Sequence, residues 1–302
     1  MYCGILILDK PAGLTSHDVV SRVRRKLHTK KVGHAGTLDP DATGVLVLCI
    51  GDATRLIEYI VADEKVYVGE AVFGIGTDTD DASGEVTATR DAGLLQKSDV
   101  LRAAGSLTGV IMQTPPKFSA IHVNGRRAYD LAREGHDFEL PPREIQVHEF
   151  STLEFQPGPV ARAAFRVHCS KGTYIRSLCR DWGKVLQTPA HMACLRRVQS
   201  GAYRIDEAVS LYEFEASDAP ECFLRPMLEA LREIPKVCVS AGDAQRLAQG
   251  QTMILGEAMP SGPVAVIGDD AQLVAVGEII ARGGEQEVVL RPKKVFWKGG
   301  RQ

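Results

Sequence analysis

The sequence predicts an α+β protein, a largely antiparallel mixed sheet with flanking helices followed by a small β-rich C-terminal module. Three observations carry that expectation. Short apolar runs such as Gly4–Leu8 and Val45–Ile50 read as buried strands. Helix-like segments with apolar residues on one side are mixed among them. Past Ile234-Pro235 the apolar segments become short, β-like and separated by Gly-rich turns. At 302 residues, with 44% hydrophobic and 25% charged side chains, the chain has ample length to bury a core as one large domain or two unequal ones.

The elements follow in order. Gly4–Leu8 is a strand closed by a turn at Lys10-Pro11-Ala12-Gly13. Thr15 or Ser16 can cap a helix over Asp18–Leu27 whose apolar side is Val19, Val20 and Val23. A polar, Gly-containing loop, Lys31–Gly44, leads to the strand Val45–Ile50. Further strands are predicted at Val66–Phe73, Val86–Thr89, Gln146–Phe155 and Val160–Cys169. Helices are predicted at Ser98–Leu107, Ala128–Glu134, Tyr174–Leu186 and Pro226–Ile234. Gln113–Arg143, rich in Pro, Arg and Gly, reads as a long insertion with a hairpin, and insertions of that size are usually functional. The terminal module holds β segments at Val237–Val239, Val264–Ile267, Leu273–Ile280 and Val288–Pro292, with a small helix over Asp243–Gln249.

A net charge of −2 excludes a uniformly basic, histone-like chain, but the sum hides the distribution. Arg166–Arg204 carries eight Lys/Arg against the single acid Asp181, Met1–Pro40 carries seven against three, and Arg291–Gln302 carries five against none. Asp63–Asp91 and Asp206–Glu233 each hold eight acids against two bases. Basic segments that converge on one face would make a footprint for a polyanion. Taken alone, such runs are more often ordinary solvated surface. Seven cysteines without a C-x-x-C pair fit reduced, buried thiols better than a disulfide framework or a zinc site. The first apolar run is too short for a signal peptide and no stretch reaches membrane-spanning length, so a cytoplasmic protein is expected.

Two constellations could carry chemistry. Gly33-His34-Ala35-Gly36-Thr37-Leu38-Asp39-Pro40 sets an imidazole and a carboxylate on a loop between buried strands, with Pro40 biasing Asp39 toward extended backbone. From spacing alone, the plainer reading is stronger: Asp39 caps a turn and His34 lies on the surface. Ser170-Lys171-Gly172-Thr173-Tyr174-Ile175-Arg176 follows a strand and opens a helix, and Arg176 offers a planar cation to a carboxylate. A decorated helix start with Tyr174 in the core explains the same residues equally well.

The pattern of motifs is more specific. His34–Pro40, Asp41–Leu48 and Gly51-Asp52-Ala53-Thr54-Arg55 resemble the signature region of the TruB pseudouridine synthases. So do Leu8-Asp9-Lys10-Pro11, Lys65-Val66-Tyr67, Gln113–Ala120, Lys171–Arg176 and Leu195-Arg196-Arg197, in order along the chain. The resemblance implies a pseudouridine synthase catalytic domain over 1–234, with an RNA-binding insertion at about 113–143, and a PUA-like RNA-binding domain over 235–302. It implies that a uridine in the T-arm loop of tRNA is flipped out, detached from C1′ and rejoined through C5. Asp39 matches the essential aspartate, nucleophile or base. Tyr67 matches a tyrosine that stacks on the base and can take the C5 proton, and Arg176 matches the arginine paired with the aspartate. His34, Tyr174 and Leu195 match residues lining the substrate site, and Lys10 a lysine of the N-terminal motif. No metal, organic cofactor or obligatory protein partner is implied, and a monomer is expected.

Base flipping costs a few kcal/mol. A stacking Tyr67, and His34 in the vacated space, would offset that cost. The basic segments Arg22–Lys31 and Lys171–Arg204, with the insertion and the tail lysines Lys293, Lys294 and Lys298, would then track phosphates. Two other readings compete. One is a tRNA-binding or tRNA-folding protein with secondary catalysis. The other is a glycosidase-type enzyme acting on a free nucleoside, which would need neither basic segments nor a long insertion.

Overall fold

The computed structural model describes residues 2–60, 64–119, 121–123, 125–255, 259–282 and 287–297. The chain begins with strand β1 (Gly4–Lys10), helix α1 (Ser16–Lys26) and strands β2 (Val32–Ala35) and β3 (Thr43–Ile50). A 3-10 turn and α2 (Ile57–Ile60) lead to β4 (Glu64–Phe73), the hairpin β5 (Ile75–Thr77) and β6 (Val86–Thr89), α3 (Lys97–Ser106) and β7 (Gly109–Gln113). The insertion holds a minimal hairpin, β8 (His122–Val123) and β9 (Arg126–Arg127), and α4 (Ala128–Arg133). Then come β10 (Arg143–Gln156), β11 (Ala161–Ser170), α5 (Ile175–Val185), β12 (Ala190–Ser200), β13 (Tyr203–Arg204), β14 (Val209–Ser210) and α6 (Leu211–Ala216).

Apart from the hairpins β5–β6 and β8–β9, these strands form one mixed sheet in the order β14-β1-β3-β12-β4-β11-β10-β7, with β2 on β3 and β13 on β12. Its pairings are antiparallel except β1 with β14 and β3 with β12. Strand alternation turns Leu6 and Leu8 of β1, with Leu46 and Leu48 of β3, onto Val19, Val20 and Val23 of α1. Ile5, Ile7, Val45 and Val47 face the opposite core. Burial on both faces explains why these strands read as unbroken apolar runs. On the far half of the sheet, fully buried Trp182 of α5 packs edge-on to Phe73, Phe150 and Phe165.

One edge of β3 is shared, and this places the site. Strand β12 pairs with it only at Thr43 and Gly44, while β2 takes the end from Val47 to Ile50. The chain between β2 and β3, residues 36–42, therefore emerges where the sheet changes partner.

A second, five-stranded sheet is built from β15 (Lys236–Val239), β16 (Met253–Leu255), β17 (Gly262–Gly268), β18 (Leu273–Arg282) and β19 (Glu287–Val295), in the order β15-β17-β18-β19-β16. With α7 (Ala241–Ala248) it encloses its own core of Val239, Leu247, Val264, Val266 and Leu290. It packs on the first sheet through Ala265, Val276 and Phe296.

Four sequence expectations change. The loop read over Lys31–Gly44 begins with strand β2, which carries His34. Strands β5, β7, β12, β13, β14 and β16 have no counterpart among the predicted strands. In β12, bulges between Met192 and Cys194 and between Arg197 and Gln199 break the period-2 pattern, and a buried arginine sits at an inward position. The helix predicted over Pro226–Ile234 is a 3-10 turn, Met227–Leu231. The α6 helix, opened by a Ser210 cap, is additional to the predicted helices.

Candidate active site

The 36–42 loop is held by polar side chains that reach it from three elements. Thr15 caps α1 through a capping box with Asp18, which frees Ser16 to face inward. The Ser16 hydroxyl accepts from the Leu38 N–H at 2.9 Å and donates to the Leu38 carbonyl at 3.2 Å. Lys10 has no exposed surface and donates to the carbonyls of Pro11, Leu14 and Pro40 at 2.9, 2.5 and 2.7 Å. Burial lowers its ammonium to about 8, opposed by the nearby carboxylates of Asp41 and Asp39. Arg197 of β12, also without exposed surface, donates to Val45, Thr37 and Gly36 carbonyls at 2.8, 3.2 and 3.0 Å. The loop backbone is thus satisfied by buried cations rather than by a strand partner.

Asp39 stands on that loop with its side chain 42% exposed, while its partner Arg176 on the first turn of α5 is 7% exposed. The pair is two-pronged, Nε to Oδ2 at 2.9 Å and Nη2 to Oδ1 at 3.3 Å. Arg176 is fixed from behind by the Thr79 and Phe118 carbonyls, each at 3.1 Å, and by Asp81 at 3.6 Å. It can hold Asp39 in one orientation and leave the carboxylate open on its other side. The α5 start is set by Gln113, whose amide donates to the Tyr174 carbonyl at 3.1 Å and accepts its N–H at 2.9 Å.

Two tyrosines feel the Asp39 charge. Tyr67 on β4 is buried, which pushes its phenol up, while the Arg197 guanidinium beside it pulls the other way. Tyr174, half-buried, is pushed up by the same cause. His34 on β2 is held below its ordinary value by burial and by Arg197, which favours the neutral imidazole. Leu195, 7% exposed on β12, adds an apolar wall.

The structure therefore brings Asp39, Arg176, Tyr67 and Tyr174 together. Lys10 stands apart, because its three N–H donors are committed to the backbone and none remains for a substrate. Arg197, Gln113 and Asp81 carry no individual role in the sequence reading, and Ser16, one of its two candidate caps for α1, instead holds the Asp39 loop. For Arg197 the available signal was its place beside Leu195 and Arg196, which local hydrophobicity cannot distinguish from a solvated cation.

The basic segments also read differently in three dimensions. Arg166 pairs with Glu149, Arg180 with Asp80 and Asp181, Lys184 with Asp181, Arg196 with Asp9 and Arg204 with Asp206. Lys293 pairs with Glu278, and Lys294 with Glu58 and the Arg55 carbonyl. Arg180, Arg196 and Lys294 thus meet acids distant in sequence, which a local charge count does not see, while Lys184 and Arg204 meet the nearby Asp181 and Asp206 and stay largely exposed. Lys298 lies outside the described residues.

A family model for the N-terminal domain of TruB family pseudouridylate synthases matches residues 24–175, and one for the tRNA pseudouridylate synthase B C-terminal domain matches 176–233. The chain belongs to the TruB family. Among its relatives, tRNA pseudouridine synthase B of Symbiobacterium thermophilum is 47% identical over 82% of each chain. That of Thermobifida fusca is 44% identical over 95% of this chain and 98% of its own. Among solved structures, a Cbf5-Nop10-Gar1 complex superposes with a TM-score of 0.74 at 25% identity, over 97% of this chain and 85% of the other. As a TruB family member the protein is an enzyme of the isomerase type, a pseudouridine synthase. The Asp39 loop, Tyr67 and Tyr174 fall within the first matched segment, and Arg176 opens the second.

Proposed function

We propose that this protein converts a uridine in the T-arm loop of tRNA to pseudouridine, with Asp39 as the essential group. The observation that carries the reading is the Asp39–Arg176 pair, in which a buried arginine orients a half-open carboxylate whose charge reaches two tyrosines. A uridine in folded RNA must leave its stack before that carboxylate can reach it. Neutral His34 can enter the vacated stack without desolvating a charge. Tyr67 offers its ring face to the flipped base, and Leu195 excludes water that would let a detached uracil escape.

Proton removal from C5 by Tyr67 would need a phenolate, which burial opposes and Arg197 favours. The base role thus leans on Arg197, whereas stacking does not. Lys10 acts as a positioning residue for the loop. The minimal hairpin and α4 of the insertion, which expose Arg126, Arg127 and Arg133, and the five-stranded sheet, read as a PUA-like domain over 235–302, serve as further RNA contacts. A tRNA substrate fits action in the cytoplasm, as a monomer whose chemistry needs no metal or cofactor.

The deciding experiment assays wild type and Asp39→Asn on one tRNA transcript, with the product nucleoside located by sequence position. Loss of pseudouridine at the T-arm loop, with RNA affinity within a few-fold of wild type, supports the reading. Turnover in the variant, or modification at a different position, overturns it.

A further inference from the structure

On the solvent face of the large sheet, one carboxylate and two imidazoles converge from three adjacent strands. His168 of β11 places Nε2 2.9 Å from Glu64 Oε2 of β4, and His148 of β10 places Nε2 3.5 Å from Glu64 Oε1. All three donor atoms lie within 4.8 Å of one another, and the imidazole centroids are 4.7 Å apart. The side chains are 54%, 34% and 30% exposed for Glu64, His148 and His168, so an ion can reach them without unfolding.

The backbone is shaped to produce this grouping. The β10–β11 ladder pairs Val147 with Cys169 and then Glu149 with His168, so His148 is the extra residue of a β-bulge. Val147 and Phe150 are buried while His148 and Glu149 between them face outward. Without the bulge, alternation would turn one of these two inward. With it, His148 joins His168 on one face. Glu149 is already engaged by Arg166 and Ser151, which leaves Glu64 as the carboxylate for the two imidazoles.

We propose that Glu64, His148 and His168 form a binding site for one divalent transition-metal ion of the zinc class, with water completing the coordination. Zinc bonded at about 2.0–2.2 Å to imidazole nitrogen and carboxylate oxygen brings its ligand atoms to roughly 3.4 Å from one another in tetrahedral geometry. The separations of 2.9 Å from His168 to Glu64 Oε2 and 3.5 Å from His148 to Oε1 run to different carboxylate oxygens, and with the three donor atoms within 4.8 Å of one another small side-chain adjustments reach that spacing. Two imidazoles and one carboxylate favour zinc, nickel or copper over magnesium or calcium. The ion would staple β4, β10 and β11 near the point where β4 leads to Tyr67. Its role is structural and lies outside the isomerisation chemistry.

The test uses untagged, chelator-treated full-length protein titrated with zinc chloride by calorimetry, with thermal unfolding followed in parallel. One saturable equivalent and a rise in Tm that grows with free zinc are expected. His148→Ala and His168→Ala should each weaken binding by about tenfold or more. His122→Ala, an exposed histidine elsewhere, should leave it unchanged. Wild-type pseudouridine formation should survive chelation, as the staple makes no contact with Asp39. Absence of a saturable equivalent, or binding that survives the His148→Ala, His168→Ala double variant with native circular dichroism, overturns the proposal.

Discussion

At the scale of the residue, the site depends on where individual protons and charges are held. Asp39→Asn keeps the shape of the side chain but loses the anion that Arg176 orients. Turnover should fall by about a thousandfold or more, an amount typical of losing an essential catalytic group. RNA affinity, measured by filter binding, should change only a few-fold. Tyr67→Phe keeps the stacking face and removes the phenol. If the phenol takes the C5 proton, single-turnover rates collapse; a rate near wild type would assign Tyr67 to stacking alone. Lys10 gives a prediction with two opposite signs. Its ammonium titrates near 8 in the folded protein against an ordinary 10.5, so the proton is lost early. Above pH 8 one of its three carbonyls loses its donor, and activity should decline as the loop loosens. Between the two values the unfolded chain binds more protons, so this group alone makes stability rise with pH. Wild type should therefore show an alkaline loss of kcat unaccompanied by unfolding. Lys10→Met should be slow throughout and lack that limb.

Among the elements, β12 decides whether the site exists, and Gly44 shows how closely it must fit. Gly44 holds φ +103° opposite Arg197, and a Cβ there would lie 2.2 Å from the Arg197 carbonyl oxygen. Gly44→Ala should therefore separate β3 from β12, costing about 2–4 kcal/mol in urea unfolding and releasing the 36–42 loop. Retention of both stability and activity would show that the two-residue parallel pairing is dispensable. This same region marks where the sequence is legible. Asp39, Arg176 and Tyr67 could be picked out because ordered motifs flank them, and β1 and β3 because burial on both faces leaves unbroken apolar runs. Strand β12 hid behind two bulges and an inward arginine, for its stability comes from partners more than a hundred residues away in sequence. Lys10 was legible as important but not in its role, since only the fold shows that three carbonyls have claimed its donors.

For the whole molecule, the question is which cations remain for RNA once the internal pairs are counted. The eight Lys/Arg of Arg166–Arg204 are mostly bound to acids or, for Arg197, to carbonyls. Exposed Arg25 and Lys30, near the end of α1, and Arg127, Arg133 and Arg143, in and beside the insertion, lie outside those pairs and flank the loop in sequence. Each phosphate neutralised releases counterions, so the affinity of a T-arm stem-loop should fall on a log–log plot against salt by roughly 0.7–0.9 per contact. The double variant Arg25→Gln, Lys30→Gln should flatten that slope by between one and two units while leaving the unfolding midpoint near wild type. Arg196→Gln should do the reverse, because Arg196 is bound two-pronged to Asp9 at 2.6 and 3.1 Å. Its loss should lower stability and leave the salt slope in place. A slope that responds to Arg196 and ignores the exposed pair would mean that RNA pulls the internal ion pairs apart on binding. The footprint would then be formed by the complex and not carried by the free enzyme.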